Sequence, residues 1–426
     1  MATLGAIGAN SGITGTGPFT KSGSGALTIN AGGTVNTTSA TALGYGAGVH
    51  VDTLNIAGGL LNNTAAGDQG WNVAINLTGG TAQSNGGVSD AASTQLFSLG
   101  GGSSVNSLAS ATTSIVSGRV NLRETNPGDQ LPFNVDDGAA PIDLNVSAAI
   151  TANAVTRGIA KNGTGVLLLS GASTYTGTTA INAGTLALGP TSSLASPLIT
   201  VAASATFDVS AAPGFGIPSG TTVNVAAGGL LRGPAEVGAG GILIAGSTGG
   251  TDVTGNLTNT GNIRVAGNGT AGTLTLSDSL TTNDGSTFNF DLANDTTIGS
   301  GTNDLVAVQG VLTLNGTSTI AVNQLNGTLT TGSYTLFTYI GGLVGNAGNL
   351  ALSGLVATGR RTFTVDTTTT IGSVLLTVAG TPASLIWDGD GAGNPWDLTS
   401  VLWKNAGNPD KYYDLVPGQA GDPLSR

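Results

Sequence analysis

Cysteine is absent from the 426 residues, and histidine occurs once, at His50. A stray disulfide would block a long chain on its way through a cell envelope, so the missing cysteine fits secretion. One histidine with no cysteine removes His-rich metal sites. A Ser-His-Asp triad would have to use His50, and the surrounding GYGAGVHVDTLNI holds no G-x-S-x-G elbow. His50 therefore reads as a solvent-facing strand residue. Charge is also scarce, at 8% of residues against a usual ~25%. Lys and Arg total 12, Asp and Glu 23, for a net charge of −11, and Glu124 and Glu236 are the only glutamates. This acidic, base-poor surface excludes nucleic acid and anionic membranes as partners, because both need basic patches. No apolar run reaches the ~18 residues of a membrane helix. Residues 1–20 lack the basic and apolar regions of a signal peptide, so no export signal is expected in this chain. It reads as a piece of a longer secreted protein, or as a mature form.

Glycine fills the space left by charge, at 71 residues, with 39% hydrophobic residues beside it. That apolar content is too high for a disordered chain, so Thr, Ser and Asn must solvate the surface. Low charge suits stacked β-coils, where like charges directly above one another repel. Short apolar segments closed by glycine recur: LNIAGG from Leu54, INLTGG from Ile75, FSLGGG from Phe97 and SIVSG from Ser114. Each reads as a strand alternating in and out, followed by a turn that needs positive φ. Their spacing of roughly 20 residues lies in the range of solenoid repeats.

Residues 161–189, KNGTGVLLLSGASTYTGTTAINAGTLALG, condense this grammar into strand, turn, strand and turn, with no helical period. A second copy of the opening motif stands at 20–31, where TKSGSGALTINA aligns with AKNGTGVLLLSG at 160–171 and Lys21 matches Lys161. The unit resembles the autotransporter-associated β-strand repeat of secreted bacterial passenger proteins. It cannot bury its apolar face alone and must stack on neighbours. The expected fold is therefore all-β, an elongated parallel β-solenoid, which the resemblance makes a right-handed β-helix. Inward Leu, Val, Ile and Ala should form columns, with Asn and Thr ladders at the turns.

Five stretches are expected. Residues 1–118 form N-terminal coils, and 119–146 an inserted loop carrying three prolines and concentrated charge. Residues 147–284 resume the coils, with the repeat at 160–189. Residues 285–380 form a stem enriched in Phe288, Phe290, Tyr334, Phe337, Tyr339 and Phe363. There Asn303-Asp304-Leu305 and Gly332-Ser333-Tyr334 resemble recurring motifs of the final region of autotransporter passengers. Residues 381–426, with three of the four tryptophans, open a further β unit that breaks off. No C-terminal series of ~10-residue alternating strands suggests a membrane barrel, so this segment is not expected to insert into a membrane.

Candidate chemistry lies in three places. Asp388, Asp390, Asn394 and Asp397, interleaved with glycines, offer oxygen ligands to calcium, although Ala392 and Thr399 break the EF-hand pattern. The alternative is a turn in which Asp and Gly serve the backbone. Asp136, Asp137 and Asp143, with Arg119, Arg123 and Glu124, could serve a lyase or glycosidase mechanism, or form a solvated loop with local ion pairs. Trp387, Trp396 and Trp403 could stack on sugars or pack a small β core. Arg360-Arg361 reads as a surface turn. The resemblance implies a structural or adhesive, non-enzymatic segment of a secreted or cell-surface bacterial protein that needs no cofactor. Its partners would be glycans, a host or neighbouring cell surface, or copies of itself. The rival readings are a β-helix carbohydrate-active enzyme and a glycan-binding module.

Overall fold

The computed structural model describes residues 26–38, 42–43, 51–66, 70–123, 129–152, 156–246, 250–355 and 361–380, together with strands Leu385–Trp387, Trp403–Asn405 and Asn408–Asp410. Short strands with period-two burial dominate. Thr53–Ala57, Val166–Leu169 and Thr222–Val225 each alternate half-exposed and buried positions. Among the described residues there is no α-helix, only the single 3-10 turns Asn85–Gly87 and Ala347–Asn349. Glycine and β-branched residues at this spacing leave no apolar stripe for a helix to bury.

The strands stack in parallel into three faces, so the chain is a parallel β-solenoid. A first sheet of 14 strands begins at Ala26–Asn30 and ends at Leu350–Ser353; a second of 15 begins at Thr34–Thr37. The third face is interrupted. Four strands occupy it between Gly70–Trp71 and Ala149–Ala152, and six between Gly216–Ile217 and Leu343–Val344. Between those blocks, among the described residues, the Ala172–Ser193 bridge alone marks it. At about 4.8 Å per strand, the 14 strands of the first sheet stack to about 60 Å.

In-register pairing turns the alternation into columns. On the first sheet Leu54, Ile75, Val105, Phe133, Lys161, Ile181, Val201 and Val225 occupy one inward column. On the second, Leu144, Leu167, Leu186, Phe207 and Leu231 do the same. Every member of both columns is buried. In the stem the strands lengthen to six, seven and eight residues at Thr287–Leu292, Ser318–Gln324 and Gly332–Tyr339. Phe337 presents edge-on contacts to Phe288 and Phe290, with centroids 5.2 and 5.4 Å away. Such pairs add about 1 kcal/mol each beyond burial. The second sheet ends in an antiparallel cap: Ser373–Gly380 pairs with Gly332–Tyr339, and Arg361–Asp366 pairs with Ser373–Gly380.

Two expectations need correction. The 119–146 stretch is not a projecting loop. Arg119–Leu122 belongs to the third face, Gln130–Val135 to the first sheet and Leu144–Val146 to the second. Its strand alternation outweighs its prolines and charges: among the described residues Pro132, Pro141, Asp136 and Asp137 sit outward, and Asp143 is tied to backbone at a corner. The two copies of the 160–171 motif are not equivalent either. Ala26–Asn30 pairs in the first sheet, whereas Val166–Leu169 pairs in the second. Lys21 lies outside the described residues. In residues 381–426, the three described strands form a small antiparallel sheet, Leu385–Trp387 against Trp403–Asn405 against Asn408–Asp410.

Candidate functional site

Buried polar side chains occupy corners of the stack, and an outer column of asparagines runs along the first sheet. Period two places Lys161 in phase with Ile159, so its side chain points inward, between Phe133 and Ile181. The residue is fully buried. Its ammonium reaches the corner after the strand and donates to the carbonyls of Asn162, Gly163 and Ala183 at 3.0, 2.7 and 3.0 Å. Burial pushes the amine down to about 8, opposed by the field of Asp143. Asp143 is buried at the same corner, where its carboxylate accepts from the backbone N–H of Gly138 and of Val166, both at 2.8 Å. Downstream in the repeat, the buried Tyr175 shares a 2.7 Å hydrogen bond with Thr179. Burial drives its phenol well above the usual range.

The stem motif Asn303-Asp304 has the same character. Asn303 accepts from Ala293 N–H and donates to the carbonyls of Asp295 and Thr297. Asp304 is fully buried and accepts from the N–H groups of Gly272 and Asp291, each at 2.7 Å. Desolvation pushes its carboxyl up to about 8, against those two hydrogen bonds and with the help of the nearby Asp291. Asp252, Asp278, Asp284 and Asp291 likewise accept backbone N–H groups one coil away, from Thr275, Gly255, Thr317 and Thr270. At these four positions a one-methylene carboxylate spans the gap between coils.

The outer column is an asparagine ladder. Asn76 donates to Asn55, Asn106 to Asn76, Asn134 to Asn106, Asn162 to Asn134 and Asn182 to Asn162, at 2.7–2.9 Å. The sequence reading expected ladders at the turns; this one runs along the outward face of the first sheet. Its signal is an asparagine in the same strand phase on successive coils.

The carboxylates singled out in 119–146 do not converge on one cleft. Asp136 and Asp137 are exposed, while Asp143 is buried and bound to backbone. Arg119 lies at the opposite end of the second-sheet strand, where its guanidinium donates to the Ser93 carbonyl and to Thr151. Arg123 ends the third-face strand; its carbonyl accepts from the buried Arg157 at 2.6 Å. Arg361 is a buried strand residue rather than part of a surface turn. The calcium candidates Asp388, Asp390, Asn394 and Asp397 lie outside the described residues, as do His50, Glu124, Arg360 and Trp396. Trp387 and Trp403 are backbone register partners in the small antiparallel sheet. Among the described residues no group of three or more His, Asp or Glu side chains is placed to hold a metal. No helix among them is long and apolar enough to cross a membrane.

Comparison with known proteins yields one family. No curated protein matches the chain. Residues 159–188 match the passenger-associated-transport-repeat family. The match begins at Ile159, in the strand that carries Lys161, and ends at Leu188, in the strand above Leu167 and Leu169. The conspicuous positions of the segment, Lys161, Gly163, Tyr175 and the Val166–Leu169 strand, are those that build one corner and two rungs of the stack. The chain thus carries one segment, residues 159–188, that matches the passenger-associated-transport-repeat family.

Proposed function

We propose that the chain is a non-enzymatic structural and adhesive segment of a secreted or surface-exposed bacterial protein, acting through its length, stiffness and repetitive polar face. Proteins carrying this repeat are exported passengers, which implies a secreted or surface location. The observation that carries the reading is where the buried polar groups go. Lys161, Asp143, Asn303 and Asp304 each bond backbone groups of their own or adjacent coils. Groups so engaged hold a rod together and present nothing to a substrate. Glycans, other cell surfaces and further copies of the chain are the partners such a face would meet.

The test couples two assays. Beads coated with the purified chain are scored for attachment to bacterial or host cells and to one another. The same protein is incubated with neutral and acidic polysaccharides. Attachment without glycan turnover is expected. Turnover abolished by Asp136→Ala or Asp137→Ala would replace this reading with that of a carbohydrate-active enzyme.

A further inference from the structure

We infer that Asn268 and Asn326, on one edge of the stem, are sites of spontaneous modification, where the side-chain amide becomes a carboxylate through a cyclic imide. The chemistry favours an asparagine followed by glycine, because the next backbone nitrogen must reach the side-chain Cγ and glycine hinders it least. That nitrogen gives up its proton to solvent and attacks Cγ. The Cγ–Nδ2 bond breaks, and ammonia leaves with a proton taken back from solvent. Water then opens the succinimide at either of its carbonyls. One product is aspartate. The other is isoaspartate, whose main chain runs through the side chain and is longer by a methylene. Water is the sole co-reactant, and nothing is oxidised or reduced. The inference does not depend on the adhesive role.

The sequence offers five Asn-Gly pairs, at Asn85, Asn162, Asn268, Asn315 and Asn326, and the fold treats them differently in two independent respects. The first is the amide. Asn162 is held from both sides in the ladder, donating to Asn134 and accepting from Asn182. Asn315 donates to Oδ1 of Asn283 at 3.2 Å, and Asn85 to the carbonyl of Val88 at 3.0 Å. Asn268 and Asn326 are exposed, and their side chains make no hydrogen bond among the described residues. The second is the glycine. A Cβ on Gly163 would lie 2.3 Å from the carbonyl oxygen of Val135, and one on Gly316 2.8 Å from the backbone of Asp284. Both glycines are pressed against the preceding coil, with little room to bring their nitrogen to Cγ. Around Gly86, Gly269 and Gly327 nothing lies within 4 Å of the same position. Of the five pairs, those at Asn268 and Asn326 alone combine a loose amide with an open glycine. Both lie in connections from the first sheet to the second. Asn268 stands between Asn262–Val265 and Thr273–Leu276, and Asn326 between Ser318–Gln324 and Gly332–Tyr339. The first-sheet strand stacked between them, Thr287–Leu292, leads into the connection that carries the exposed Asp295. Conversion therefore adds two negative charges to the −11 of the chain, both along one already acidic edge. Exposed turns of this kind tolerate a lengthened backbone better than strands do, so the stack survives the change.

Peptide mapping by mass spectrometry tests the inference on the folded whole chain, incubated at mildly alkaline pH. Samples withdrawn over time are scored for aspartate and isoaspartate at all five asparagines. A parallel incubation in denaturing urea supplies the rate that each pair has without the fold. In the folded chain Asn268 and Asn326 should convert about tenfold or more faster than Asn162 and Asn315, with Asn85 between. In urea the five rates should converge. The double variant Asn268→Gln/Asn326→Gln closes the ring far more slowly, because its side chains are longer. It should hold its anion-exchange retention while the wild type drifts to later elution. Any other ranking in the folded chain would overturn the inference, as would a double variant that drifts like the wild type. A spread in urea as wide as in the folded chain would also overturn it, since the ranking would then belong to the local sequence.

Discussion

Asn162 donates through Nδ2 to Oδ1 of Asn134 over 2.9 Å, although 28 residues separate the two in sequence. The bond exists because Gln130–Val135 and Gly158–Asn162 pair in register, which places identical amides one rung apart. Sequence distance is thereby converted into a local contact, and polar groups that would face only water in a single coil become ties between coils.

Asn134→Ala should cost about 1–2 kcal/mol, because it removes two ladder bonds, each worth about 1 kcal/mol net. It leaves Oδ1 of Asn106 and Nδ2 of Asn162 without their ladder partners. Asn182→Ala, at the exposed end of the ladder, loses one bond and should cost less than half as much. Urea denaturation of both variants measures the difference. Equal effects would mean that the ladder contributes nothing as a ladder.

Leu167→Asp should unfold the repeat region. Leu167 is fully buried between Leu144 and Leu186, and a carboxylate there has no partner along the column. An unpaired buried charge costs more than most single substitutions, about 4 kcal/mol or above. Thermal unfolding followed by circular dichroism should show a large drop in midpoint or loss of the cooperative transition. An unchanged midpoint would refute the inward column.

The strand grammar was legible because period-two alternation closed by glycine is a local property, visible in Thr53–Ala57 or Val166–Leu169 alone. Which face each strand joins was not. All three faces use the same alternation, so the Lys21 and Lys161 motifs looked equivalent while their strands sit on different sheets. The ladder was hidden for a related reason. Corners of different length space its residues 21, 30, 28, 28 and 20 apart, which no fixed repeat search would collect. The 119–146 stretch misled because proline and charge usually mark loops. Pro132 instead points outward from a strand whose Leu131, Phe133 and Val135 fill the core. Lys161 stands out in the sequence as a landmark, and its strand phase, shared with Ile159, already places it inside.

Glycine should be intolerant of substitution at Gly163 and tolerant at Gly214, although both hold positive φ, +77° and +84°. A Cβ on Gly163 would lie 2.3 Å from the carbonyl oxygen of Val135, whereas one on Gly214 meets nothing within 4 Å. Gly214→Ala should cost about 1–2 kcal/mol for the left-handed backbone alone. Gly163→Ala adds a backbone collision at the corner that holds Lys161, so it should cost at least twice as much. Parallel denaturation curves decide. Similar losses would mean that the corner relaxes freely around the added carbon.

Stability should pass through a minimum near pH 8, because two buried groups titrate there with opposite consequences. Asp304 is raised to about 8 in the folded chain, from about 3.9 when unfolded. Between those values the folded state holds the extra proton, so stability falls as pH rises from about 4 to about 8. Lys161 is lowered to about 8, from about 10.4 when unfolded. Over that window the unfolded state holds the extra proton, so stability recovers as pH rises from about 8 to about 10. Thermal midpoints across this range should trace the dip. Lys161→Met, which keeps the buried stem and removes the amine, should flatten the alkaline limb alone. Asp304→Asn should lower stability at every pH, because its amide N–H faces a backbone donor, but it should flatten the limb between about 4 and about 8. A wild-type curve that rises steadily from pH 4 to 8 would show that Asp304 is ionised in the fold. The two N–H groups of Gly272 and Asp291 would then outweigh its burial.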